Sequence, residues 1–252
     1  MRSFSLELRF LRYIMSEMNN TAINAEGEEN RSPDAGGQQK SPVEKVPINV
    51  RHVILVLSGK GGVGKSTVAA NLAMALASNG HQTGLLDLDI HGPNIPKMLG
   101  IEETWFTSTD GKTIEPVYVV PDLGVASMAF LLPDKSTPVI WRGPMKMQVI
   151  KQFLADVTWG DLDYLVVDLP PGTGDEALSI AQLAPNVAGA VIVTTPQEVA
   201  VLDSSKAVRF VEKMGLKVLG IIENMSGMIC PNCGEEIDLF GQGGGRNAAE
   251  DL

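Results

Sequence analysis

Three groups of residues in this sequence have the types and the spacing to do chemistry. The first is Gly59-Lys60-Gly61-Gly62-Val63-Gly64-Lys65-Ser66-Thr67, which fits the phosphate-loop pattern G-x-x-x-x-G-K-[ST]. Its glycines let successive backbone N–H groups converge on phosphate oxygens, and a helix opening near Lys65 would add its positive end. Lys65 supplies a point charge for the β and γ phosphates, and the Ser66 hydroxyl suits Mg²⁺. Thr67 reads as helix packing or a secondary phosphate contact. The plain alternative is a glycine-rich turn that binds nothing. The position of the loop, between an apolar run and a helical pattern, argues against it.

The second group is Asp87, Asp89 and Asp168. Asp168 closes the run Leu165-Val166-Val167, and an acid at the carboxyl end of a core strand beside a phosphate loop is placed to hold Mg²⁺ or its waters. Asp87 and Asp89 end a neighbouring strand pattern two residues apart. If the extended conformation persists through both, they point the same way, one toward a metal-bound water and the other toward the attacking water. Asp pairs at strand ends are otherwise common turn formers; a phosphate loop in the same chain tips the reading toward function.

The third group is Cys230 and Cys233, the whole thiol content of the chain. A Cys-x-x-Cys ligates metal, forms a redox disulfide, or is incidental. Pro231, Asn232 and Gly234 favour a turn over the helix start of a redox pair, and so favour metal. Two thiolates fill half of a four-coordinate site, and His52, His81 and His91 belong to other parts of the chain. A symmetric dimer would supply the missing two ligands. Four thiolates suit Zn²⁺ as well as an iron–sulfur cluster, and ligand chemistry leaves that choice open.

The elements that must position these groups follow from hydrophobic pattern. Apolar strand-sized runs fall at 53–57, 83–86, 117–120, 125–128, 165–167, 190–193 and 218–222. A helix after the loop carries Val68, Leu72 and Leu76 on one face. Further helices over 147–157 and 198–214 bury Ile150, Phe153, Leu154 and Val157, and Ala207, Val208, Val211 and Met214. Runs without a polar face, separated by amphipathic helices, predict a doubly wound, mostly parallel α/β sheet in one domain over 51–252. Residues 1–50 read as a flexible tail, with a short amphipathic turn at 3–15 and little to bury over 16–45; Met15 is an alternative start. Lys+Arg 20 against Asp+Glu 30 gives a net charge of -10, a poor match to a nucleic-acid backbone. No apolar run reaches membrane-spanning length, and no small-residue cleavage pattern follows the amino-terminal arginines. The expectation is a cytoplasmic protein with neither nucleic acid nor membrane as partner.

Taken together with Asp87-Leu88-Asp89-Ile90-His91-Gly92-Pro93-Asn94-Ile95-Pro96, Trp141-Arg142-Gly143-Pro144-Met145, Asp168-Leu169-Pro170-Pro171-Gly172-Thr173-Gly174-Asp175 and Cys230-Pro231-Asn232-Cys233-Gly234, the phosphate loop resembles the Mrp/ApbC family. These are iron–sulfur carrier ATPases within the MinD- and ParA-like (SIMIBI) class of phosphate-loop NTPases. The resemblance runs from about residue 53 to 245. It implies ATP and Mg²⁺ as cofactors and hydrolysis of ATP to ADP and phosphate. Lys60 would reach the phosphate on a partner subunit, Asp89 would activate water, Asp87 and Asp168 would be magnesium-associated, and Asn224 would touch adenine. It further implies a homodimer in which Cys230 and Cys233 of each subunit share a bridging [4Fe-4S] cluster, destined for apo iron–sulfur proteins. A MinD- or ParA-like spatial switch is the alternative; it calls for a membrane-binding helix or a basic DNA surface, neither of which is found in the main body, and the segment 3–15, arguable as a membrane helix, sits at the wrong end for the familiar organisers. Relatives continue past the glycine run at 240–245 with more structure, so the chain reads as shortened at its carboxyl end. Arg142, between a tryptophan and a Gly-Pro break, is either a capped helix start or a functional residue, at the dimer surface or coupling nucleotide state to the cysteine loop.

Overall fold

The computed structural model describes residues 44–250 except 90–91, 109 and 132–142. Residues 1–43 of the expected tail, His91, Trp141 and Arg142 lie outside the described residues. The tail's last residues belong to the fold instead, with Val46 buried and its N–H donating to the Leu183 carbonyl at 2.8 Å, and Val50 opening the first strand. The core strands are β1 (Val50–Ser58), β2 (Thr83–Asp87), β4 (Leu123–Ser127), β5 (Leu162–Asp168), β6 (Val187–Thr194) and β7 (Val218–Glu223), with β3 (Val117–Val120) at one edge. They form a seven-stranded sheet in the order β3-β4-β2-β5-β1-β6-β7. Only β3 runs antiparallel, against β4; the other neighbours are parallel. All five residues of β2 and all five of β4 are buried. Successive side chains of a strand point to opposite faces, so both faces are covered.

Helix α1 (Lys65–Ser78) follows the phosphate loop and packs across β5, β2 and β1. Its buried face is Ala69, Ala70, Ala73 and Ala77, while Val68, Leu72 and Leu76 sit half-buried at its margin. The expected face is therefore displaced. Alanine has almost no side chain to hold the backbone off the sheet, and it is the best helix former. The short α2 (Ile95–Met98) comes next, then a 3₁₀ turn at Met128–Leu131. Helix α3 (Gly143–Asp156) buries Ile150, Phe153 and Leu154, and Val157 is buried just beyond it. It packs against α4 (Asp175–Leu183), which buries Ala177, Ile180 and Leu183. Helix α5 (Glu198–Lys213) buries Ala207, Val208 and Val211 against β6, β1 and β7, with Met214 half-buried beyond its end. After β7 come a two-stranded hairpin, β8 (Met228–Ile229) with β9 (Glu236–Ile237), and α6 (Gly244–Glu250) against β7.

Candidate nucleotide site and cysteine hairpin

The central strands each end on a fully buried polar residue: Ser58, Asp87, Ser127, Asp168 and Thr194 are all 0% exposed. An apolar run closed by a buried polar group brings polar atoms to one edge of the sheet, at the strand carboxyl ends where open α/β sheets bind ligands. Asp87 and Asp168 are direct register partners on β2 and β5. The phosphate loop rises from β1, next to β5.

A cleft of about 210 Å³ opens there, lined in part by Gly61, Gly62, Gly64, Lys65, Ser66, Thr67 and Asp89. That is less than the roughly 300 Å³ at which ligand pockets begin, and suits a chain of phosphates rather than a whole nucleotide. Gly62 and Gly64 have φ of 80° and 86°, in the left-handed region that favours glycine. A Cβ at Gly64 would collide with the Asn224 amide. Gly59 answers to a different contact, since a Cβ there would collide with the backbone of Asp203 on α5. Val63 is buried, and its carbonyl accepts a hydrogen bond from the Asn224 side-chain amide at 3.0 Å.

Lys65 Nζ donates to Asp168 Oδ1 at 2.5 Å, both side chains being buried. Burial pushes the Asp168 carboxyl above its ordinary range, with the Lys65 charge pulling against it. Asp168 Oδ2 is buried without a hydrogen-bond partner. A buried, orphaned carboxylate oxygen next to a phosphate loop is the donor that Mg²⁺ takes, so the residues present fit the ion. Asp87 accepts a hydrogen bond from the Ser127 hydroxyl at 2.8 Å, and burial, followed by the nearby Asp168 charge, raises its pKa to about 7. Strand β2 ends at Asp87, and the Asp89 N–H turns back to donate to Asp87 Oδ1 at 3.1 Å. The extended run does not persist through both acids. Asp89 lines the cleft, with the Gly92 N–H donating to its Oδ1 at 3.3 Å, while Asp87 is buried beside Asp168 at the strand ends and is not part of the lining.

Lys60 points elsewhere. Its ammonium donates to Gln197 Oε1 at 3.4 Å, in front of α5. Gln197, Ser127 and the cleft-lining Asn94, Met98 and Pro171 carried no role in the sequence reading. For Ser127 the sequence shows only a lone polar residue inside the apolar run 125–128, unlike Ser58 and Asp168, which close theirs.

Cys230 and Cys233 are free thiols in the turn of the β8–β9 hairpin. The Cys230 N–H donates to the Glu235 carbonyl at 2.8 Å, and the Gly234 N–H to the Cys230 carbonyl at 2.9 Å. Backbone N–H groups of Cys233 and then Asn232 point at the Cys230 sulfur and lower its pKa. This is the expected turn, not a helix start. Among the described residues no three His, Cys, Asp or Glu side chains converge on one metal position. The hairpin hangs from the same segment that touches the phosphate loop. Glu223, just before Asn224, accepts from the Ser226 hydroxyl at 2.5 Å and from the Gly243 and Gly245 N–H groups at 2.9 and 2.5 Å.

A phosphate loop on an interior strand of a doubly wound sheet, with Lys65, Ser66 and Asp168 converging, defines a Mg²⁺-dependent P-loop ATPase. A family described as the NUBPL iron-transfer P-loop NTPases, of ParA type, matches residues 49–252, and the chain belongs to it. The iron-sulfur cluster carrier protein of Methanocaldococcus jannaschii is 52% identical over 215 residues, 85% of this chain and 74% of that one. A cytosolic Fe-S cluster assembly factor, the Nubp2 homolog of Anopheles gambiae, is 52% identical over 205 residues, covering 80% and 79%. Among solved structures, the nucleotide-binding protein of Archaeoglobus fulgidus in complex with ADP, with cobalt found in it, superposes with a TM-score of 0.68 at 42% identity, over 81% of this chain and 78% of that one. Iron–sulfur cluster carrying is the family-level function. Among the described residues no helix is long and apolar enough to cross a membrane.

Proposed function

We propose that this chain is an ATP-driven carrier that holds a [4Fe-4S] cluster between the Cys230–Cys233 pairs of two protomers and delivers it to apo iron–sulfur proteins. The observation that carries the reading is the hairpin. Its turn, closed by the Cys230 N–H on the Glu235 carbonyl and the Gly234 N–H on the Cys230 carbonyl, holds two free thiols together at the surface, where a second protomer's pair can meet them. The thiolates are the cluster's ligands, and the cluster is cargo rather than a resident cofactor. Four thiolates also accept Zn²⁺, so zinc competes for the site in samples handled in air.

In this reading Lys65 leaves Asp168 for the β and γ phosphates of ATP, and the loop N–H groups hold the remaining phosphate oxygens. Mg²⁺, when bound, neutralises charge on those oxygens; Ser66 and Asp168 hold it, with Asp87 behind. Asp89 accepts the proton of the attacking water. Asn224 reads adenine with the amide atoms that Val63 leaves over, and Thr67 adds a phosphate contact. Lys60 exchanges Gln197 for the phosphate on the partner protomer. Asn224 therefore sits where a nucleotide and the cysteine hairpin share one segment of backbone.

Anaerobic reconstitution with iron and sulfide, followed by absorption and electron paramagnetic resonance spectra of the oxidised and reduced protein, tests the reading. The expected result is a four-iron signal that Cys230→Ser and Cys233→Ser each abolish while ATP binding persists. Retention of the cluster by either variant overturns it.

A further inference from the structure

We propose that the rim of the cysteine hairpin is a docking surface for the recipient protein, and that it selects recipients whose cysteine-bearing loop is flanked by lysine or arginine. This rests on the carrier reading above. The rim is apolar and open: Ile229 is 71% exposed, Leu239 64%, Met228 46% and Phe240 40%. Side chains of this size lie in water at a cost unless something covers them, and a group of them around a functional loop marks an interaction surface.

Charge decides what covers them. From Asn224 to Gly245 the chain carries Glu235, Glu236 and Asp238 and no lysine, arginine or histidine. All three acids are exposed. Glu236 stands directly across the hairpin from Ile229. The Gln242 amide donates to Glu236 at 3.0 Å and to Asp238 at 2.6 Å, which fixes both carboxylates against the hairpin without cancelling their charge. Arg246, the first cation after this stretch, acts on Glu223. The rim is thus an apolar patch edged by three carboxylates that have no ion-pair partner among the described residues.

A second copy of this chain is a poor occupant. A two-fold contact would set these acids against their own images, and like charges across an interface oppose association. In the proposed dimer, iron draws the hairpins together at the thiolates, and the rim carboxylates gain nothing from a like-charged twin. A recipient with cations beside its cysteines gains both the apolar cover and the charge match, and its approach is steered by the opposite sign.

The test uses the full chain and two synthetic peptides that share a Cys-x-x-Cys-x-x-Cys core with leucines, one flanked by lysines and the other by glutamates. Each is also made with serine for cysteine. Anisotropy with the serine peptides reads docking without a cluster. The lysine peptide is expected to bind at least about tenfold more tightly at about 0.05 M salt, with the gap closing near 0.5 M. Glu235→Lys, at an exposed position whose backbone carbonyl alone bonds the hairpin, should shrink the preference to under about threefold, and Glu235→Gln should fall between. Ile229→Ser should weaken both peptides. Equal binding of the two peptides at low salt, or a preference untouched by Glu235→Lys, overturns the proposal. So does salt-insensitive self-association that Ile229→Ser abolishes, which would give the rim to a second copy. Transfer to the cysteine peptides, followed by absorption from the reconstituted protein, separates the two readings. Docking preference without any transfer overturns the carrier role and leaves the surface standing. Transfer at equal rates to both peptides with no docking preference does the reverse.

Discussion

Lys65 and Asp168 form a buried ion pair 2.5 Å apart, and such a pair is costly to break from one side. Lys65→Ala is expected to lose nucleotide binding and also to destabilise the protein by about 3–5 kcal/mol, because Asp168 is left buried and uncompensated. Lys65→Met combined with Asp168→Asn should recover most of that stability and none of the binding. Calorimetric titration with ATP and urea unfolding of both variants check the pair of outcomes. In the proposed mechanism Asp89 has a different task. Asp89→Asn keeps the shape of the cleft wall but cannot take a proton, so single-turnover hydrolysis should slow by roughly 10²–10⁴-fold while ATP affinity stays within about threefold. Equal loss of affinity in both variants would refute the division of roles. Asp87 gives a pH dependence. Its folded pKa of about 7 lies above its ordinary value of 3.8. Between those values the native state holds a proton that the unfolded chain has lost, so stability falls as pH rises, by up to about 1.4 kcal/mol per unit, and levels off above about 7. Asp87→Asn removes this dependence. Its stability relative to the parent, measured without nucleotide from pH 5 to 8, should climb up to neutrality and then flatten.

Helix α1 lies close to the sheet because its inner face is alanine, and that closeness holds the loop and Lys65 over the strand ends. Ala73→Leu, at a position 0% exposed, should cost about 1–3 kcal/mol by overpacking, and should weaken ATP binding as the helix start shifts. Thermal unfolding and nucleotide titration of one variant check both. The same helix shows where pattern reading succeeds and where it misleads. The large residues Val68, Leu72 and Leu76 drew the predicted face toward themselves, yet they only edge the contact. Strands were legible because a strand buried on both faces leaves an unbroken apolar run, as at β1, β5 and β6. The phosphate loop was legible because its glycines serve local backbone geometry. Helix α4 escaped because its pattern begins inside the loop after Asp168. The β8–β9 hairpin has strands of two residues each, too short to show any period, though Pro231, Asn232 and Gly234 marked its turn. Gln197 and Ser127 owe their positions to packing between distant segments, which periodicity does not encode.

For the whole molecule, the decisive expectation is that cluster binding and dimerisation are one event. Each protomer brings two thiolates, so a cluster with four protein ligands needs two protomers, and binding it stabilises the dimer by mass action. Anaerobic sedimentation combined with iron and sulfide analysis should give one four-iron cluster per two chains. A monomer with a full cluster would overturn the shared-ligand arrangement. Should ATP and cluster favour the same dimer geometry, each tightens the other's binding by the same factor. The strand order has a further consequence, for synthesis. Strand β1, which carries the phosphate loop, pairs with β5 and β6, and Val53 finds Val187 as its neighbour on β6. At about 5–20 residues per second, a ribosome needs on the order of ten seconds to supply that neighbour after β1 has been made. Until β5 and then β6 emerge, the apolar run 53–57 of β1 lacks the neighbours that bury it, and the newborn chain depends on chaperones, or on speed, to keep β1 from other chains.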